Sequence, residues 1–231
     1  MQDKVINHLV SRHILIPALE LSLINENIAS RENMGTSKGY ELVKKYRRKC
    51  DINYKSYYIL KCDISKFFAS IDQNILKEKI KRRIKDKDAL NIIFKIIDSE
   101  KNGLGIGSMT SQILAIFYLN DMDHFIKEKL KIKYYVRYQD DFLLFHQSKD
   151  YLKYSLEEIR KFLAKEKLTL NVKTRIYKNT NNFIFLGKNQ KGKYAKYREI
   201  ERKLKKRKYL YQKNKITLIQ YISSKICYEK I

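Results

Sequence analysis

Two stretches of this chain are built largely from aromatic and β-branched residues, and each runs into aspartate. Tyr57–Ile64 (YYILKCDI) reads as a buried strand that ends at Asp63. Tyr134–Phe145 (YYVRYQDDFLLF) reads as a β-hairpin, two apolar runs flanking an acidic tip at Asp140 and Asp141. If the first strand pairs beside the hairpin, these carboxylates converge. Held together on a sheet they repel unless divalent cations neutralise them, and two such ions about 3.5–4 Å apart serve in-line phosphoryl transfer. Mg²⁺ suits that arrangement because it takes few protein carboxylates and fills its octahedron with water and phosphate oxygens. Singly, each acid has an ordinary explanation as a helix cap or turn residue. Their joint context is what points to metal chemistry.

The remaining segments set the fold class. Residues 2–24 carry apolar positions at helical spacing interrupted by Pro17, which predicts helix, break and short helix. Turn formers fill residues 30–40, and helix resumes over Tyr40–Lys49. Asp72 is placed to cap a helix to about Ile84, Lys87–Ser99 suits another, and Gly103–Gly107 makes a turn. One amphipathic helix is predicted from Thr110 to about Leu130. Beyond the hairpin come a helix over about Leu152–Lys165 and short strands near Thr174–Tyr177 and Asn182–Leu186, with Gly187 as a break. This order predicts an α+β fold, an antiparallel sheet with helices packed on one face. With one proline and seven glycines the chain has no linker, so its lobes must be interleaved.

Charge narrows the partner. Lys and Arg number 50 against 25 Asp and Glu, a net +25, which predicts attraction to polyanions and to nucleic acid first. An A+T-rich genome would enrich Lys, but it would enrich Glu as well. Within Lys191–Lys208 ten basic residues meet two acids, on a segment able to form a helix after about Ala195. Cys50, Cys62 and Cys227 lie too far apart for a zinc knuckle or disulfide framework, which points to a reduced, intracellular protein. No apolar run reaches the ~18 residues of a membrane span, and no signal-peptide core is present.

Several of these segments resemble, in the right order, the motifs of the reverse transcriptase family. LKCDISKFFASID (Leu60–Asp72) looks like the first catalytic motif and YQDD (Tyr138–Asp141) like its YxDD motif. GLGIGSMTSQ (Gly103–Gln112) is similar to the motif beneath the template base and incoming nucleotide, and LTLNVKTRI (Leu168–Ile176) and FIFLG (Phe183–Gly187) to the two that close the palm. The resemblance implies a right-hand polymerase palm with partial helical fingers and a short helical thumb: residues 1–56 as partial fingers, 57–187 as palm with inserted fingers helices at about 72–102, and 188–231 as a basic thumb segment. By the same resemblance Asp63 and Asp140 are metal ligands, with the Ile64 carbonyl a further ligand and Asp141 a supporting acid, holding two Mg²⁺ ions or Mn²⁺ in their place. Phe68 falls where an aromatic crowds the sugar 2′ position, while Phe67 reads as core. Lys173 takes the place of the lysine that approaches the departing pyrophosphate. Arg31 and Lys38 are candidates to grip the triphosphate, and Ile106, Gly107 and Gln112 to line the nucleotide. Lys203, Lys205, Lys206 and Arg207 would hold the template–primer duplex by its phosphates.

The IGSMTSQ version (Ile106–Gln112) resembles that of diversity-generating retroelements, which implies error-prone copying of an RNA template. Phage-defence and group II intron-like enzymes share related sequences and stay open as alternatives, as does a non-catalytic RNA-binding protein with a polymerase fold. The partners implied are an RNA template, a DNA primer or cDNA, dNTPs and a small basic accessory oligomer, with no membrane. A cytoplasmic protein encoded by a bacterium or phage is expected. The resemblance starts inside the usual fingers region, which implies a short form, a fragment or a partner-dependent enzyme.

Overall fold

In the computed structural model, which describes residues 2–191 and 193–229 with side chains over 5–191 and 201–224, a four-stranded sheet carries the acids. Its strands are β1 (Tyr58–Cys62), β2 (Tyr134–Tyr138), β3 (Asp141–His146) and β4 (Arg175–Lys178), in the order β2-β3-β1-β4. The hairpin pairs Tyr134 with Phe145 through to Tyr138 with Asp141, and β1 lies antiparallel to β3 from Tyr58–His146 to Cys62–Phe142. The expected strand and hairpin are therefore neighbours, with β1 somewhat shorter than the apolar run that announced it.

Strand alternation decides which side chains meet the helices. Leu60, Cys62, Tyr135, Phe142 and Leu144 enter the main apolar core. Ile59, Tyr134, Val136, Leu143 and Phe145 are buried on the opposite face.

The N-terminal helix α1 (Gln2–Val10) passes through a π-helical turn, Ser11–Leu15, into α2 (Ile16–Leu19). The expected break at Pro17 is absent. The wider turn, in which the Ile16 N–H bonds the Ser11 carbonyl, carries the chain past a residue that cannot donate. Helix α3 (Thr36–Asn53) outruns the predicted Tyr40–Lys49 at both ends and lays Tyr46 against the rings of Tyr134 and Phe145, 5.3 and 6.0 Å away. It thus covers the far end of the sheet face opposite the main core.

After β1 come the short α4 (Phe67–Ser70), then α5 (Gln73–Arg83), capped as expected by Asp72 accepting from the Ile75 N–H at 2.9 Å, and α6 (Lys87–Asp98). The single helix expected over Thr110–Leu130 is divided. α7 (Met109–Tyr118) ends at Leu119, α8 (Asn120–His124) follows, and Phe125–Lys129 forms another π turn. At the division the buried Lys79 ammonium donates to the Tyr118 carbonyl at 2.8 Å, so that carbonyl has a side-chain partner where an unbroken helix would supply an N–H. Helix α9 (Lys149–Lys165), capped by Ser148, adds Leu152, Ile159 and Leu163 to the main core beside Ile113–Leu119.

Two compact units result, Met1–Ile176 and Tyr177–Ile231. In the second, β5 (Phe183–Phe185) pairs with β6 (Lys188–Gln190) in a separate two-stranded sheet. Leu186 (φ 51°) and Gly187 (φ 76°) form its turn, so Gly187 reverses the chain and does not merely end a strand. Helices α10 (Lys193–Gln212) and α11 (Leu218–Glu229) follow, with Tyr211 stacked on Tyr221 at 5.4 Å. Among the described residues no helix is long and apolar enough to cross a membrane.

Candidate active site

Asp63 stands one residue beyond the last β1–β3 pair, Cys62–Phe142, and therefore faces Asp141 across the strand ends. Lys61, two residues back on the same face, donates to the Asp141 carboxylate at 2.6 Å. Asp140 occupies the hairpin tip after Gln139, whose φ of 53° is the left-handed conformation a two-residue turn demands. All three acids are half-buried.

Their electrostatics show that they share one field. Burial pushes the Asp140 carboxyl above the usual carboxylate range, and the negative charge of Asp63 pushes it further. Burial likewise raises Asp141, to about 6, with Lys61 opposing and Asp63 and Asp140 adding repulsion. Partly desolvated carboxylates repelling one another, with one lysine among them, form a donor set that a divalent cation would stabilise. Among the described residues no three His, Cys, Asp or Glu side chains are gathered as a metal cage. A hard ion that takes one or two carboxylates and completes its shell with water and phosphate fits what is there.

The backbone around Asp63 is tied from the other side. Ile64 bridges Leu170, and the two hydrogen bonds flanking that bridge run from the Asn171 N–H to the Asp63 carbonyl (2.7 Å) and from the Ser65 N–H to the Thr169 carbonyl (2.9 Å). The Ile64 carbonyl takes no part in that pair. Lys173 is exposed in the following turn, its N–H bonded to the Asn171 side chain at 3.0 Å, so it lies two residues from the loop that holds Asp63.

Phe67 enters the core at 3% exposure, whereas Phe68 is half-buried and meets Phe67 edge-on at 5.6 Å. The glycine turn fixes this pair from behind. The Leu104 N–H donates to the Phe68 carbonyl at 2.8 Å, and Gly103 (φ 60°) approaches so closely that a Cβ there would overlap the same oxygen. Ile106 is 88% exposed and Gly107 adopts φ 103°. Gln112, at the start of α7, accepts from the Ser30 hydroxyl at 3.2 Å, and that hydroxyl accepts from the Gln139 amide at 2.9 Å. The glycine-turn motif and the hairpin tip are thereby joined through Ser30.

The basic candidates differ in placement. Arg31 is turned inward, donating to Glu20 at 3.0 Å and to the Ile24 and Asn27 carbonyls, while Lys38 is exposed beside Glu41. On α10, Lys203, Lys205 and Lys206 are exposed and Arg207 is half-buried, with Lys205 paired to Glu201 at 3.0 Å. The side chains of 193–200, part of the basic run, lie outside the described residues.

Sequence reasoning overlooked Lys61, Ser30 and, above all, Arg137. That arginine is fully buried, bonded to Asp123 through Nε at 2.7 Å and through Nη2, with further bonds to the Ile116 and Gln139 carbonyls. Its own backbone joins the N-terminal segment: the Arg137 N–H bonds the Glu26 carbonyl and its carbonyl takes the Ile28 N–H. The available signal was a lone cation in the apolar run YYVRY, which burial permits only with a partner.

Comparison with known proteins matches this layout. Residues 1–190 fit the family pattern described as reverse transcriptase (RNA-dependent DNA polymerase). The COX1/OXI3 intron 2 protein of Saccharomyces cerevisiae is 29% identical over 92 residues, covering 34% of this chain and 11% of that protein. Among solved structures, the telomerase of Candida albicans in complex with a TWJ fragment of telomeric RNA aligns with a TM-score of 0.59 at 16% identity, over 84% of this chain and 36% of that one. The apo telomerase of Candida tropicalis aligns with a TM-score of 0.61 at 17% identity, over 81% and 39%. At those identities the likeness is one of fold, and this chain spans well under half the length of each of these relatives. With the family pattern running from the N-terminal helix through the sheet to the β5–β6 hairpin, the chain belongs to the reverse transcriptase family.

Proposed function

We propose that this chain is an RNA-directed DNA polymerase that extends a DNA primer along an RNA template, with Asp63 and Asp140 as ligands of two Mg²⁺ ions. The observation that carries the reading is the meeting of a strand end and a hairpin tip, which brings Asp63, Asp140 and Asp141 near enough to repel one another in a chain with net charge +25. When bound, the ions supply Lewis acidity that lowers the pKa of the attacking hydroxyl and steadies the leaving pyrophosphate. The chain's own part is positioning. Asp63 and Asp140 hold the donor set, the Ile64 carbonyl is turned away from the Leu170 bridge, and Lys61 keeps Asp141 engaged at their side. Lys38 is the better placed of the two triphosphate candidates, since Arg31 already has three partners within the fold. Residues 1–56 then act as partial fingers, 57–187 as palm and 188–231 as thumb, with the α10 cations on the duplex.

Phe68, pinned by Gly103 and Leu104, is proposed to exclude a ribose 2′-hydroxyl by its bulk. Phe68→Ala is therefore expected to raise ribonucleotide incorporation, relative to deoxynucleotide, by on the order of tenfold or more. Single-nucleotide extension with matched rNTP and dNTP measures this, and an unchanged ratio would remove Phe68 from the role.

Within the family we assign the chain to the error-prone, diversity-generating kind. An exposed aliphatic Ile106 between two glycines offers the nucleotide contact without a hydrogen bond, and so without the discrimination an amide would add. A second reading, an intron-associated enzyme, is favoured by the likeness to the Saccharomyces cerevisiae intron 2 protein. Purified protein supplied with Mg²⁺, primed RNA and dNTPs should extend the primer, and sequencing the product separates the readings. Adenine positions should carry most errors, and Ile106→Gln should lower them severalfold. A flat error spectrum that Ile106→Gln leaves unaltered favours the intron-associated reading.

A further inference from the structure

Many bases on the exposed helices of the first unit have an acid within ion-pair distance. On α9, Lys153, Arg160 and Lys161 each pair with an acid three residues earlier, at 2.7–2.9 Å. On α5, Lys77, Lys79, Lys81 and Arg82 are paired, with Arg83 alone left over at the end of the helix. Helix α3 differs in gathering four unpaired bases on one face. Lys44, Lys45, Arg48 and Lys49 are exposed, and among the described residues none has a carboxylate at ion-pair distance. The helix's two acids are engaged elsewhere, Glu41 with Lys38 at 3.3 Å and Asp51 against Arg47 and the Tyr57 hydroxyl.

The four cations form two adjacent i,i+4 rows, Lys44–Arg48 and Lys45–Lys49, so like charges stand over one another where opposite charges would stabilise the helix. Nothing in the packing requires this. Tyr46 packs on the sheet, Val43 and Cys50 are buried with it, and the quartet is exposed. Uncompensated repulsion on a helix held in place by its other side is relieved by a polyanion.

Placement separates this surface from the acids. The start of α3 is level with the hairpin tip, since the Gly35 N–H bonds the Ile28 carbonyl and Ile28 bonds Arg137. Its end is level with the other end of β2, where the Asn53 amide meets the Tyr134 hydroxyl at 3.4 Å. The quartet therefore lies toward the strand ends remote from Asp140. Of the aromatics nearest the quartet, Tyr46 is buried beneath it and Tyr40 and Tyr54 are half-buried, so no fully exposed ring stands among the four cations for an unpaired base to stack on. Four cations with no fully exposed ring among them suit the phosphate backbone of a duplex better than an unpaired strand.

We infer that the outer face of α3, through Lys44, Lys45, Arg48 and Lys49, binds a base-paired segment of RNA outside the template cleft. Naming the duplex as RNA rests on the polymerase reading above; the surface itself does not. Its role is to retain a structured RNA by its phosphates while a separate stretch is copied.

The test uses the full chain and a labelled RNA hairpin, with affinity followed by fluorescence anisotropy against KCl concentration. The variant K44Q/K45Q/R48Q/K49Q keeps good helix formers, and circular dichroism checks its fold. At about 100 mM KCl it should lose roughly tenfold or more in affinity, and the slope of log affinity against log salt should fall by about 3. A control, K81Q/K153Q/R160Q/K161Q, removes the same charge from paired positions and should change the slope by less than about 1. The half variant K45Q/K49Q should give about half the slope change. Extension of a short unstructured primer–template should be unaffected by the α3 variant. Equal losses in variant and control, or none in the variant, overturn the inference. Loss confined to a DNA duplex or to anionic vesicles overturns the assignment to RNA. Should the wild type bind the hairpin through these residues yet extend no primer, the surface stands and the polymerase reading falls.

Discussion

Asp140→Asn is expected to reduce primer extension by at least about a thousandfold, because the ion arrangement it is proposed to complete would contribute several kcal/mol to transition-state stabilisation. The fold should tolerate the change. Burial and the neighbouring Asp63 raise the folded-state pKa of Asp140, so its contribution to stability is present at low pH and is lost as pH rises through that value. At neutral pH the ionised carboxylate therefore opposes folding in the absence of a cation. An uncharged amide removes that opposition, and the melting temperature of Asp140→Asn without metal should equal or exceed that of the wild type. Affinity for primed RNA should stay nearly intact, since phosphate contacts by Lys and Arg supply most of it. Extension assays, thermal melting and anisotropy read the three outcomes independently. Wild-type extension by Asp140→Asn would remove this carboxylate from the chemistry, whatever the family pattern implies.

The parts of the fold legible in the sequence are those governed by local periodicity and caps. Tyr58–Cys62 and the Tyr134–His146 hairpin announce themselves by β-branched and aromatic runs, and Asp72 by its place before a helical pattern. Phe67 belongs to the core as its apolar neighbours suggest. What stayed hidden depends on partners far along the chain. Nothing near Tyr118 reveals that its carbonyl will be taken by Lys79, which divides the helix expected over Thr110–Leu130. Nothing near Pro17 shows that a π turn will absorb it. The candidate site divides in the same way. Three aspartates can be named from strand ends, but their approach follows from the Cys62–Phe142 register, and Lys61 becomes visible only once that register is known.

The Arg137–Asp123 pair sits behind the hairpin tip and should be the most sensitive point of the fold. Asp123 is fully buried and accepts from Arg137 and from the Tyr135 hydroxyl, the latter at 2.6 Å. Asp123→Ala leaves a buried guanidinium without its counter-charge and a buried phenol without an acceptor. A change of that kind costs about 3–5 kcal/mol, a large share of the roughly 5–15 kcal/mol that holds a domain together. A fall in melting temperature on the order of 10 °C should follow. Replacing both partners by apolar residues, Asp123→Leu with Arg137→Met, removes the unpaired charge and should recover most of that loss. Primer extension should not recover with it. Arg137 also donates to the Gln139 carbonyl, at 2.9 Å, and Gln139 is the left-handed residue just before Asp140 in the hairpin tip, so its backbone would set the direction of the proposed metal ligand. Methionine fills space there but donates nothing, so the double variant should fold stably while extending primers poorly. Full recovery of extension along with stability would mean that packing alone sets the hairpin tip, and that the buried arginine serves the fold without aiming the acid.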